Sequence, residues 1–349
     1  MRLALAAALL GAIPLSTIEH YRRPTVVPAK DPHDTLVAAP DSAPSLHSGV
    51  PRSPARAAPP GRVSFAVKFK EEVSPFPVLA MFVMPGEQVP LEAVLTDSTV
   101  RYTAEAGGGR LARLGPSRWR WTAPEEKGLY PLWVRDSASG ETVTLNAFVL
   151  VPMPTAATIG EFMVGRYQQR PLRGNPSYAR PVGFIEVTEA NRGTLVAPHF
   201  TIGQFVSKQS GRYPKYLVLR ERLLLKLEML LEEVRSAGIA ANSFRILSGY
   251  RTPFYNRSIG NETRYSRHVY GDAADIYIDD DGDGTMDDLN GDGRTTVDDA
   301  RTLAGVVEKL SEKSWYQPFE GGLGLYKANR AHGPFVHVDV RGDPARWGP

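Results

Sequence analysis

Apolar and polar positions fall into three regimes along the chain. Residues 63–153 alternate with a period of two, beginning with Val63, Phe65, Val67 and Phe69 separated by Ser64, Ala66 and Lys68. Strand-like runs follow at 78–84, 91–95, 99–103, 118–122, 130–135 and 143–151. Turn signals stand between several of them, at Pro85-Gly86, Gly107-Gly108-Gly109 and Ser139-Gly140. About seven short strands in roughly ninety residues predict an all-β, immunoglobulin-like sandwich that has no disulfide. Trp119, Trp121 and Trp133 lie in these runs, where core packing is the expected use of an indole.

The second regime is helical. Leu219, Leu223, Leu227, Leu230 and Val234 recur at steps of three or four, predicting an amphipathic helix over 217–237 that ends at Gly238. This helix is expected to pack on the sheet that carries the candidate site, and a further helix is expected over 297–313. Residues 154–196 read as strands at 159–167 and 183–188 around a Pro-rich loop, either a small β subdomain or a flap.

The third regime is at the N-terminus. Met1-Arg2 precedes an unbroken apolar run over 3–13, which fits a signal-peptide core and is too short to span a bilayer alone. Pro14, Leu15, Ser16 and Thr17 give no clean cleavage motif, so residues 1–23 are read as a signal peptide or a retained membrane anchor. Either way the chain is expected to be exported, to the periplasm or cell envelope. Residues 24–62 contain nine prolines and no apolar period, the composition of a disordered linker.

Composition narrows the picture. A chain of 349 residues with 42% hydrophobic content can form two or three domains with real cores. The absence of cysteine excludes disulfides, thiol catalysis and a cysteine-linked lipid anchor. The net charge is +3 with no Lys/Arg block, so no nucleic-acid partner is expected. Oligomeric state is not legible.

Candidate chemistry concentrates between Ser248 and Asp275. His268 stands seven residues before Asp275 with Gly271 between them, a spacing that suits a turn running into a strand. Imidazole and carboxylate are both zinc ligands. Downstream, G-P-F-V-H-V-D-V-R-G supplies His337 on a predicted strand. Two histidines and one aspartate leave a fourth tetrahedral position for water, as in a catalytic zinc site. His199 is read as structural, because that ligand set is already complete.

An acidic insertion spans 279–299. Asp288, Asn290, Asp292, the Arg294 carbonyl and Asp299 match positions 1, 3, 5, 7 and 12 of an EF-hand-like calcium loop, with Gly293 at position 6. An overlapping frame uses Asp279, Asp281, Asp283 and Asp287 at positions 1, 3, 5 and 9, with Gly284 at position 6. It is the weaker of the two, since Asn290 falls at position 12.

S-G-Y-R at 248–251, then S-R-H-V-Y-G-D-A-A-D at 266–275, then the strand-borne H-V-D at 337–339 resemble the zinc D,D- and L,D-peptidases that cut peptidoglycan stem peptides. The resemblance covers about residues 195–345. It implies an α+β catalytic domain of the hedgehog and D-Ala-D-Ala-peptidase type over 197–349, preceded by the immunoglobulin-like domain. It also implies peptidoglycan peptide as substrate. By the same resemblance Arg251 binds substrate and stabilises charge on the attacked carbonyl, and Ser266 and Tyr250 are substrate-side candidates. Many relatives carry a glutamate three residues before the last histidine, where this chain has Pro334. Asp339 is therefore either the general base or a partner that orients His337, and His332 is the other candidate base. The alternative to a peptidase is a non-catalytic, metal-containing protein that binds the wall or a partner.

Overall fold

A computed structural model describes residues 61–94 and 100–349. The expected export segment 1–23 and linker residues 24–60 lie outside the described residues. Among the described residues no helix is long and apolar enough to cross a membrane.

Among the described residues, nine strands occupy the first region: β1 (Ala66–Phe69), β2 (Glu72–Ser74), β3 (Val78–Val83), β4 (Gln88–Val94), β5 (Tyr102–Ala106), β6 (Arg110–Arg113), β7 (Arg118–Thr122), β8 (Gly128–Asp136) and β9 (Thr142–Val149). They form two sheets, ordered β2-β1-β4-β7-β6 and β3-β9-β8-β5. Alternation decides which side chains go inward. In β4, Val89, Leu91 and Ala93 are buried while Gln88, Pro90 and Glu92 face out. In β7, Trp119 and Trp121 are core residues between exposed arginines, whereas Trp133 on β8 is 37% exposed.

β3 breaks the alternation. All six of its residues are buried, and it runs parallel to β9. A strand covered on both faces reads as a continuous apolar run. The second cover is helix α1 (Glu221–Ser236) together with strand Leu195–Ala197. The contact has polar pins: Glu221 Oε1 accepts from Phe82 N and from Lys70 Nζ, each at 3.0 Å. Arg222 pairs with Glu72 at 2.8 Å, and Arg62 with Glu232 at 2.6 Å. The first region is thus docked along α1.

α1 starts four residues later than the leucine periodicity predicts, because Lys215–Leu217 is drawn into a strand against Gly183–Val187. Its burial extends well beyond one stripe and includes Lys226 and Glu228. Two neighbours account for this: β3 on one side and α3 (Val297–Ser311) on the other, α2 being the short helix Pro253–Ser258. α3, rather than α1, is the helix laid against the functional sheet. Lys226 reaches past it to donate to Phe319 O (3.1 Å) and Asp339 O (2.7 Å).

Strands β10 to β16 are short: Val151–Pro152, Thr158–Ile159, Phe162–Met163, Gly183–Val187, Leu195–Ala197, Phe200–Thr201 and Lys215–Leu217. The functional sheet follows, built from β17 (Arg245–Ser248), β18 (Ala273–Tyr277), β19 (Gly322–Tyr326), β20 (Phe335–Asp339) and β21 (Ala345–Trp347) in the order β17-β18-β20-β19-β21. Register places Ser248 opposite Asp275, Asp275 opposite His337, and His337 opposite Gly324. Directly paired residues share a face, so one row across four strands carries the candidate chemistry.

Candidate metal centre

His268 arrives on a 3₁₀ turn, Arg267–Tyr270, that closes on Gly271. Gly271 has φ +71°, and a Cβ there would lie 2.3 Å from the Val218 carbonyl oxygen. Its own carbonyl accepts from Arg220 N at 2.9 Å. Gly271 and Ala273 lie between the two candidate ligands, where small residues suit a close backbone approach. The structure shows that the contact Gly271 permits is with the chain entering α1.

The His268 ring is oriented by Nδ1 donating to Gly249 O at 2.7 Å, which leaves Nε2 as the ligating atom. Gly249 must itself be a glycine, since a Cβ would meet Phe205 Cα at 2.8 Å. His268 Nε2 lies 3.2 Å from His337 Nδ1 and 3.2 Å from Asp275 Oδ1, and His337 Nδ1 lies 2.9 Å from Asp275 Oδ1. Zinc bonds of about 2.0–2.1 Å at tetrahedral angles would set donors roughly 3.3 Å apart. The three atoms therefore have nearly the dimensions of one face of a zinc tetrahedron, and the donor set fits the ion. All three side chains are buried.

Without a metal the three groups divide one proton. Burial disfavours the charged Asp275, but the neighbouring His268 and Arg251 and the hydrogen bond from His337 Nδ1 outweigh it and hold the carboxyl well below its usual range. Burial also works against a charged His337, yet its hydrogen bonds to Asp275 and Asp339 prevail and raise it to about 9. His268 moves the other way, lowered first by burial and then by Arg251. Near neutral pH His337 holds the proton and His268 stays neutral.

Arg251 sits behind the aspartate. Nη2 donates to Asp275 Oδ2 at 2.5 Å and Nε to Ser248 Oγ at 2.8 Å. It thus fixes the ligand's second oxygen and keeps a permanent charge beside the centre. Ser266 is buried at the start of the His268 turn. Tyr250 is a core residue, its hydroxyl 2.7 Å from that of Tyr167, and burial pushes its pKa up. Buried so, Tyr250 packs in the core and does not present its hydroxyl to a substrate.

Asp339 is settled by geometry. His337 Nε2 donates to Asp339 Oδ2 at 3.2 Å, on the ring edge away from the metal-facing Nδ1. The carboxylate also accepts from Gly322 N (2.9 Å), Arg341 N (3.0 Å) and Arg341 Nη2 (2.6 Å), with no exposed surface. Such a group orients His337 and does not face a substrate, so the general-base role is withdrawn. His332 spends both nitrogens on its own turn: Nδ1 donates to Gly333 O at 2.7 Å and Nε2 accepts from Asn329 Nδ2 at 2.8 Å. Among the described residues no fourth His, Asp or Glu joins the group formed by His268, Asp275 and His337.

Several contributors were not recognised from sequence. Ser248 and Gly249 lie inside the S-G-Y-R motif, but nothing in their identity marks one as the arginine's acceptor and the other as the histidine's. Arg341, which clamps Asp339, and Trp347 carry no motif at all. The Trp347 ring lies 5.0 Å from that of His337, in space left by Gly324, whose Cβ would stand 2.3 Å from the indole. His199 is structural, as expected, with Nδ1 2.7 Å from Glu228 Oε2.

The acidic insertion presents a second acidic group. Carboxylate oxygens of Asp279, Asp281 and Asp283 lie within 4.8 Å of one another. In the 288–299 frame the carboxylates serve the backbone instead. Asp288 accepts from Gly291 N (2.8 Å) and Gly293 N (2.7 Å). Asp299 accepts from Leu289 N (2.8 Å) and Thr296 N (2.7 Å), completing the capping box of α3. Asn290 and Asp292 accept from Asp292 N and Arg294 N respectively, each at 2.9 Å.

Residues 199–311 match the family model described as Peptidase M15, a zinc D-alanyl-D-alanine carboxypeptidase-type family. This bears out the resemblance carried by the S-G-Y-R and H…D motifs. The match contains His268, Asp275 and Arg251 and stops before His337. No curated protein matches the chain.

Proposed function

We propose that this protein is an exported zinc metallopeptidase that hydrolyses peptide bonds in peptidoglycan stem peptides or their cross-links. The observation that carries this reading is the near-tetrahedral triangle of His268 Nε2, Asp275 Oδ1 and His337 Nδ1, two of whose members lie inside the Peptidase M15 match. Zinc held there would supply a Lewis acid and lower the pKa of water to about 7. Arg251 holds Asp275 in its ligating orientation and offers positive charge to a substrate carboxylate or to a developing oxyanion. Asp339 takes the Nε2 proton of His337 into a hydrogen bond, so that Nδ1 presents its lone pair.

Several parts of this reading rest on sequence. The apolar run at 3–13 supports export, and a peptidoglycan substrate requires it. The two-sheet region over 66–149 is read as an immunoglobulin-like accessory domain that positions the enzyme. The insertion over 279–299 is read as holding calcium as a structural ion, apart from the zinc chemistry.

A second reading, a non-catalytic zinc- and calcium-containing protein that binds the wall or a partner, is favoured by one observation. Pro334 stands where relatives carry a glutamate, and both Asp339 and His332 are committed elsewhere. Digestion of purified peptidoglycan with the zinc-loaded protein, followed by mass spectrometry, separates the two. New fragments from the parent and none from His268→Ala are expected. Intact peptidoglycan beside stoichiometric zinc would establish the binding reading.

A further inference from the structure

Asp279 is the anomaly of the acidic insertion. Its side chain is 2% exposed, and Oδ2 accepts from Arg245 Nε at 3.0 Å. Oδ1 is buried with no hydrogen-bond partner. A buried carboxylate oxygen is normally satisfied by a donor or a metal. No donor serves this one, while oxygens from Asp281 and Asp283 lie within 4.8 Å of the Asp279 carboxylate.

We propose that the loop beginning at Asp279 binds one calcium ion through Asp279, Asp281 and Asp283, with Asp279 as its buried anchor. This narrows the calcium reading given above to one of two overlapping frames, and it reverses their ranking by sequence. It does not depend on the protein being a peptidase.

The surroundings agree. Asp281 and Asp283 are exposed and each spends one oxygen on the backbone: Asp281 Oδ1 accepts from Asp283 N (3.1 Å) and Asp283 Oδ1 from Thr285 N (2.7 Å). Their second oxygens remain for a ligand. Asp281 and Asp283 also line one open cavity, together with Asp280, Asp287 and Asp288. An all-oxygen donor set on an exposed loop suits calcium better than magnesium, which demands near-ideal octahedral geometry, or zinc, which prefers nitrogen and sulfur. The 288–299 frame has no such buried unmet oxygen among the described residues, and both oxygens of Asp288 and of Asp299 accept from backbone donors.

The consequence is mechanical. Asp279 lies just beyond β18, which carries Asp275, and its partner Arg245 begins β17, which carries Ser248. Calcium bound there secures the ends of the two strands that hold the zinc-ligating aspartate and the acceptor of Arg251.

Calorimetric titration of the zinc-loaded full chain with calcium tests the proposal, alongside terbium luminescence. The Tyr277 hydroxyl donates to Gly284 O at 3.2 Å, so its phenol is placed to sensitise a lanthanide in this loop. Expected is one calcium per chain, a sensitised terbium signal that calcium competes away, and at least about tenfold weaker binding in Asp281→Asn. Asp281 is exposed and Asn preserves its backbone bond, so this variant should melt like the parent when no calcium is added. Asp292→Ala should retain calcium. Absence of calcium binding by the parent would overturn the proposal and the broader calcium reading together. Binding that survives in Asp281→Asn and Asp279→Asn but is lost in Asp292→Ala would overturn the proposal alone and assign the ion to the 288–299 frame.

Discussion

Asp275 and Asp279 stand four residues apart at one edge of the same strand pair, and both are buried carboxylates. Asp275 is satisfied on both oxygens: Oδ1 by His337 Nδ1, Oδ2 by Arg251. Asp279 is satisfied on one, by an arginine that is itself half exposed. The difference separates two ways of building a metal site. At the zinc centre each ligand is held by a partner outside the triangle: Gly249 O for His268, Arg251 for Asp275, Asp339 for His337. Its geometry therefore exists before the ion. The acidic loop has one buried anchor and two exposed arms, so an ion must complete it. The first site should tolerate no loss of a ligand and only partial loss of a partner. The second should show its effects only when calcium is present.

The largest effect is expected from His268→Ala. It removes one of three ligands from a site with no spare donor, so stoichiometric zinc binding and any peptidoglycan hydrolysis should vanish together. Equilibrium dialysis with elemental analysis reads the first and fragment release the second. Full activity in the variant would mean that the triangle is not the reactive centre.

Asp339→Asn should come next and should separate the partner role from the base role. Loss of the carboxylate weakens the orientation of His337 and leaves Arg341 without its counter-charge, so zinc affinity should fall about 10–100-fold. A positioning residue predicts that activity returns substantially when zinc is supplied in excess. Unchanged zinc affinity with abolished turnover would restore Asp339 as the base and refute the orientation drawn here.

Gly271→Ala probes the turn that delivers His268. A non-glycine residue at φ +71° costs about 1–3 kcal/mol, and contact with the Val218 carbonyl adds to it. The denaturant midpoint should drop even in the zinc-free protein, because the contact is with the chain entering α1 and not with the other ligands. Stability lost only in the zinc-loaded form would return the glycine to the role suggested by sequence.

The two regions also differ in how much of them the sequence discloses. The grouping of His268, Asp275 and His337 was legible because imidazole, glycine and carboxylate at fixed spacing have few other uses, and a later strand histidine completes them. The partners were not, because a main-chain carbonyl such as Gly249 O has no sequence signature, and Arg341 is one arginine among many. Asp339 was visible but ambiguous: a residue two positions from His337 shares its face, yet whether it lies behind or before the ring depends on which nitrogen faces the metal. Strand alternation marked the β runs around the described residues well, while β3 and α1 show what it misses. The leucine pattern over 217–237 does not reveal that Lys215–Leu217 pairs as a strand or that α1 is covered on two sides. The calcium frames were ranked by their twelfth position. That ranking ignored the competing use of Asp299 as a helix cap, which only the fold exposes.

The smallest effect expected is a pH dependence that again divides the sites. In the zinc-free protein His337 is raised from an ordinary histidine value of about 6.5 to about 9 by Asp275 and Asp339, against the pull of burial. A raised folded-state pKa contributes stability that is fully present below about pH 6.5 and is lost as pH climbs through about 9. Zinc must displace the proton from Nδ1 of His337, so its affinity should rise across the same window. Melting curves with and without zinc should therefore draw apart between pH 6.5 and 9, the zinc-free curve falling and the zinc-loaded one holding. The calcium-dependent shift should stay flat over that range, because no histidine is among the three residues of that group. A zinc-induced shift that is constant from pH 6.5 to 9 would show that His337 carries no proton in the empty centre, and that Asp275 and Asp339 do not act on it as the geometry requires.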